Sequence, residues 1–131
     1  MQVVDHTVAE TTRALRVLET GSPPTFYLPA VDVDQRYFVT SAEQTYCEWK
    51  GTASYFSFKM SAVFIANLGW YYKDPKPAFA SIADHYAFYP SRAQCYIDDE
   101  PVTAQAGGFY GGWISTEIVG PFKGEPGTQW W

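Results

Sequence analysis

The stretch Thr45–Phe58 constrains this chain most. Read as an extended strand, it sends successive side chains to opposite faces. Cys47, Trp49, Ala53 and Tyr55 then share one face. Glu48, Lys50, Thr52 and Ser54 share the other, before Phe56 and Phe58 turn that second face apolar. Gly51 interrupts the run, where a glycine inside a strand marks a bulge or a close backbone approach.

Short runs of strand composition flank this stretch. Arg13–Glu19 and Phe26–Leu28 enclose Gly21-Ser22-Pro23-Pro24, which predicts a hairpin. Arg36–Thr40 reads as a strand, Ser41–Gln44 as a polar turn, and Ala62–Ala66 as the returning strand. Asn67-Leu68-Gly69 then bends the chain into Trp70-Tyr71-Tyr72. One α-helix is predicted over Asp74–Tyr86. Asp74 caps it and Pro75 takes the first helical position. Phe79, Ile82, Ala83 and Tyr86 form its apolar stripe, and Pro90 prevents continuation. Arg92–Ile97 alternates again, and Asp98-Asp99-Glu100 is a turn. Seven of the ten glycines and three of the five tryptophans follow Ala106, which predicts an irregular segment packed across a sheet. The fold class is therefore mainly β, an antiparallel domain with one helix near residues 75–86.

The 131 residues fit one domain, 1–131, and 47% apolar content suffices for a core. A net charge of −5 without any basic run argues against nucleic acid as a partner. No apolar run is long enough to span a bilayer, and residues 1–12 lack the apolar centre of a secretory signal. A cytoplasmic location is expected, with Cys47 and Cys95 as thiols.

No reaction is named by any motif. Two cysteines and two histidines, none paired in sequence, do not make a structural zinc site. There is no Gly-x-Ser-x-Gly elbow, and Gly120–Thr128 lacks the ending of a P-loop. No catalytic residue, metal or cofactor is assigned. Aromatic density is the least ordinary feature, at 18% of residues. Aromatic walls with a few placed charges suit a small molecule. The candidate ligand-binding residues are Trp49, Lys50, Tyr55, Trp70, Tyr72, Phe88, Trp113 and Lys123. The alternatives are a thiol redox enzyme using Cys47 and a protein-interaction domain. The sequence leaves the oligomeric state open.

The run Cys47-Glu48-Trp49-Lys50-Gly51-Thr52-Ala53-Ser54-Tyr55 resembles the signature of a bacterial and fungal family, domain of unknown function 427. The resemblance extends over most of the chain. It includes Leu15–Thr20 with Pro23-Pro24, Trp70-Tyr71-Tyr72 with Asp74-Pro75, and Ala87-Phe88-Tyr89-Pro90. Gly111-Gly112-Trp113-Ile114 and Gly120-Pro121-Phe122-Lys123-Gly124 match later blocks. It implies a compact β-rich fold with one helix, an antiparallel two-sheet domain that is tent-like or barrel-like. That fold is similar to the tent-like two-sheet architecture of the B-type methionine sulfoxide reductases and of the thalidomide-binding domain of cereblon. The zinc-holding cysteine pairs of that architecture are missing here. The family also carries a nucleotidyltransferase-like label, but this sequence lacks the Gly-Ser motif and the paired carboxylates of such enzymes.

Overall fold

The computed structural model describes residues 2–3, 6–18, 23–97, 100–105 and 111–114. Lys123, the Gly120–Thr128 loop and the tryptophans at 130 and 131 lie outside the described residues, as do Asp98 and Asp99.

Twelve strands are described: β1 (Gln2–Val3), β2 (His6–Thr7), β3 (Leu15–Val17), β4 (Thr25–Pro29), β5 (Phe38–Cys47), β6 (Gly51–Met60), β7 (Val63–Tyr71), β8 (His85–Phe88), β9 (Tyr96–Ile97), β10 (Glu100–Pro101), β11 (Thr103–Ala104) and β12 (Trp113–Ile114). Six form one antiparallel sheet in the order β3-β4-β8-β7-β6-β5. β1–β2, β9–β10 and β11–β12 form small pairs. The fold is mostly β, and the main sheet does not close into a barrel.

The organising stretch is not one strand. β5 and β6 are the arms of a hairpin, and Glu48-Trp49-Lys50 is its turn. Gly51 begins β6 at φ 109°, a conformation that glycine reaches without a Cβ clash. Gly51 therefore serves the turn and does not bulge a strand interior. The alternation beyond it holds: Ala53 and Tyr55 bury on one face, Phe56 and Phe58 on the other.

Ser41–Gln44 does not break the chain as a turn. It stays inside β5 as an irregularity between Thr40 and Gln44. Likewise β7 runs through Asn67, which takes φ 48° beside a register shift in the β6–β7 pairing. A left-handed Asn absorbs the extra length that a true turn would have needed.

The α-helix over 74–86 is replaced by a 3-10 helix, Pro77–Ile82, followed by strand β8. Phe79 leaves helical geometry at φ −119°, and Asp84 turns the chain at φ 59°. Prolines at 75 and 77 cannot donate backbone hydrogen bonds, so little remains to propagate a helix. The periodic stripe is also divided: Ile82 is buried on one face of the sheet, while Tyr86 packs on the other.

The sheet is covered on both faces. The first face gathers Leu28, Phe56, Phe58, Leu68, Phe88 and Trp113. An N-terminal strap closes it with Val8 and Ala9, 1% and 2% exposed. Asp34 N–H donates to Val8 O at 2.7 Å, and Ala9 bridges Val33. Arg13 Nη2 reaches both Asp32 oxygens at 2.9 and 2.8 Å, and Thr11 Oγ1 donates to Asp32 Oδ2 at 2.7 Å. His6 Nε2 lies 3.0 Å from Asp34 Oδ2, which also accepts from Arg36. The second face gathers Tyr27, Ala53, Tyr55, Trp70, Tyr72, Ile82, Ala87 and Tyr89.

Candidate functional site

Tyr and Trp put a polar tip on an apolar body, so a buried group of them needs hydrogen bonds within itself. The second face meets that need. Trp70 Nε1 donates to Tyr27 OH at 3.3 Å, and their rings meet edge-on at 6.4 Å. Tyr72 approaches Tyr27 at 6.4 Å, and Tyr89 approaches Trp70 at 4.7 Å. Tyr55 OH lies 2.9 Å from Thr45 Oγ1 and is hydrogen-bonded to Tyr89. Burial and the neighbouring Tyr55 push the Tyr89 hydroxyl well above the ordinary phenol range, so it stays protonated.

Lys50 enters this face from the hairpin turn. It is only 8% exposed, and its Nζ lies 5.9 Å from the Tyr72 ring centroid. The turn is held from outside by Lys76, whose N–H donates to Lys50 O at 2.8 Å and whose Nζ donates to Glu48 O at 2.6 Å. That double tie fixes where the Lys50 side chain starts.

The candidate residues are therefore sorted by the sheet. Lys50, Tyr55, Trp70 and Tyr72 lie on the second face. Phe88 and Trp113 lie on the first, where Trp113 Nε1 donates to Phe88 O at 3.1 Å and the indole packs tilted against the Phe26 ring, centroids 5.1 Å apart. A sheet that is buried on both sides separates the two sets. Trp49 joins neither: it stands 73% exposed on the turn. Gly111 crosses the edge of Trp70, where an added Cβ would come within 2.2 Å of the ring.

Three residues outside the candidate set contribute to this face: Thr45, Tyr89 and Arg92. The Arg92 guanidinium lies 4.3 Å from the Tyr89 ring, and Nη1 donates to Asn67 O at 2.7 Å. Tyr89-Pro90-Ser91-Arg92 was readable as an aromatic next to a cation, but the strand ending that aims it was not.

The arrangement offers hydroxyls, indole N–H and two cations, which are binding groups. Among the described residues no cluster of three His, Cys, Asp or Glu could hold a metal ion. Cys95 is buried and its thiol is pushed up to about 12 by burial, so it offers no thiolate near neutral pH. Cys47 is partly buried at the end of β5, opposite Gly51. No described helix is long and apolar enough to cross a membrane.

Residues 1–99 match the model of the family described as domain of unknown function (DUF427). The chain belongs to this family. The match covers the hairpin turn, the second-face aromatics and Arg92. It ends before Gly111 and Trp113, so those blocks lie outside it. No curated protein matches this DUF427 chain.

Proposed function

We propose that this DUF427 chain is a binding module for a small polar or anionic metabolite, recognised on the second face of the sheet. The observation that carries this reading is Lys50. A cation with a long flexible stem ordinarily stays in water. Here it is turned inward against Tyr72, on the face that holds Tyr55 and Trp70. Aromatic bodies with hydroxyls and an inward-turned cation supply both apolar contact and an anchor for charge. The hydroxyls of Tyr27, Tyr55 and Tyr89 define where polar groups of a ligand can exchange hydrogen bonds.

Thermal shift and tryptophan fluorescence against a metabolite library test the proposal. A hit raises the melting temperature of the wild type and shifts its emission. In Lys50→Met the same compound binds at least about tenfold more weakly, the loss of one charge-assisted contact. A library that moves neither signal ends the proposal.

A second reading, a protein-interaction domain, is favoured by the turn itself. Trp49 and Tyr46 are 73% and 65% exposed, and Lys76 Nζ lies 5.1 Å from the Tyr46 ring. Rigid exposed aromatics make interface anchors. If the second reading holds, a partner isolated with the wild type is lost with Trp49→Ala at unchanged stability.

A further inference from the structure

The first face of the main sheet does not stay covered to its end. Its cover stops at Phe56, 2% exposed, which pairs with Thr40 on β5 and Gly69 on β7. In the next row Ser54 pairs with Gln44 and Tyr71, and beyond it Thr52 pairs with Tyr46. Alternation puts these five side chains on the same face as Phe56. Gln44, Tyr46 and Thr52 are exposed there, and Ser54 and Tyr71 are partly buried.

This open shelf is already ordered. Gln44 Nε2 donates to Ser54 Oγ at 3.3 Å. Tyr71 packs against Phe56 and Tyr86, with ring centroids 6.5 and 5.5 Å away. Lys76 Nζ, held by Glu48 O, lies 5.1 Å from the Tyr46 ring centroid and leaves that ring 65% exposed. Among the described residues the hydroxyls of Tyr46, Thr52 and Tyr71 make no hydrogen bond.

We propose that the shelf is a carbohydrate site, which takes a neutral disaccharide with one pyranose stacked on Tyr46 and hydroxyls bonded to Gln44, Thr52 and Tyr71. The chemistry of the five side chains selects this class. They are one amide, two aliphatic hydroxyls and two phenols, and none is charged at neutral pH. A charged ligand would give up hydration for groups that do not compensate it, whereas a sugar exchanges hydrogen bonds like for like. A pyranose is also two-sided: its ring C–H groups form an apolar face, and its hydroxyls line the edge. An exposed phenol ring offers the matching apolar surface. Neighbouring strands lie about 4.8 Å apart, so the shelf from β5 to β7 spans about 10 Å, the reach of two linked sugar rings. Side chains fixed before binding lose less entropy when the ligand arrives. The shelf lies on the opposite face of the sheet from Lys50, so this site does not rest on the metabolite reading.

The test titrates the full chain with cellobiose, with maltose and with cellobionate, the carboxylate counterpart of cellobiose. It follows the Gln44 side-chain amide and the Tyr46 ring by NMR. Cellobiose is expected to shift both signals saturably. Tyr46→Ala weakens it at least about tenfold at unchanged melting temperature, since the ring is exposed. Tyr46→Phe, which keeps the ring, retains saturation, and Gln44→Ala weakens binding. Leu18→Ser, exposed beyond β3 at the opposite edge of the sheet, leaves the titration unchanged. Saturation by neither disaccharide overturns the proposal, as does full affinity in Tyr46→Ala. Tighter binding of cellobionate than of cellobiose overturns the neutral class. Shifts confined to Tyr55 and Trp70 would place the sugar on the second face and overturn the shelf, while leaving the binding-module reading in place.

Discussion

At the scale of single residues, burial decides which aromatics matter to stability. Phe58 and Phe88 are completely buried. Either one changed to Ala should lose about 3–5 kcal/mol in urea unfolding, the cost of a large cavity in a packed core. Trp49→Ala should change stability by less than about 0.5 kcal/mol, because the ring stands in solvent. Cys95 gives a second residue-level expectation. Its thiol is held neutral up to about 12, against an ordinary value of 9.0. The unfolded thiol therefore ionises first as pH rises, and the Cys95 contribution is lost progressively between roughly pH 9 and about 12. Below that it is fully present. Iodoacetamide should label Cys95 only after denaturation, as mass spectrometry of the labelled peptide would show. Rapid labelling of Cys95 in the native protein would contradict its burial. The side-chain pattern is legible where strands alternate, and so Ala53 and Tyr55 fall on one face and Phe56 and Phe58 on the other. Trp49 was misplaced because a turn and a strand look alike across one glycine, and only the φ of Gly51 separates them.

At the scale of elements, the strap and strand β7 make different demands. The strap is tied by carboxylates. Hydrogen bonds from Thr11 and Arg13 hold Asp32 below its usual pKa, and Arg36 holds Asp34 far below it. Such groups bind fewer protons when folded than when unfolded. Their stabilisation is present above pH of about 4 and is lost as pH falls through the folded values. Asp34→Asn and Asp32→Asn should each flatten the acid limb of a stability-versus-pH curve; unchanged limbs would remove both carboxylates from the account. Gly69 makes a demand of space. An added Cβ would lie 2.0 Å from Ala87 O and 2.8 Å from the Phe56 ring. Gly69→Ala should therefore disrupt the β7–β8 pairing and lower the melting temperature by several degrees at least, roughly what 1–2 kcal/mol produces in a chain of this size. The hairpin at Pro23-Pro24 and the returning strand were readable from composition. The helix was not, since periodicity cannot show that the two ends of a stripe bury on different faces. Nor could the bulges be read: Ser41–Gln44 and Asn67 have turn composition, and sheet pairing on both sides holds them in place.

At the scale of the molecule, the strand order β3-β4-β8-β7-β6-β5 mixes two kinds of neighbour. β5, β6 and β7 follow one another as a meander. β4, however, pairs with β8, joining Leu28 to Tyr86. The meander closes short loops, whereas the second junction encloses a long one, and loop closure slows contacts that are distant in sequence. The nucleus should therefore form in the meander, with β3, β4 and the strap docking afterwards. Phe56→Leu should then slow refolding, and Leu28→Ala should chiefly accelerate unfolding. During synthesis the N-terminal third emerges long before β8 exists to receive it. A nascent chain of this kind spends that interval with Tyr27 and Leu28 uncovered, so its yield in cells should depend on chaperones more steeply than its equilibrium stability suggests.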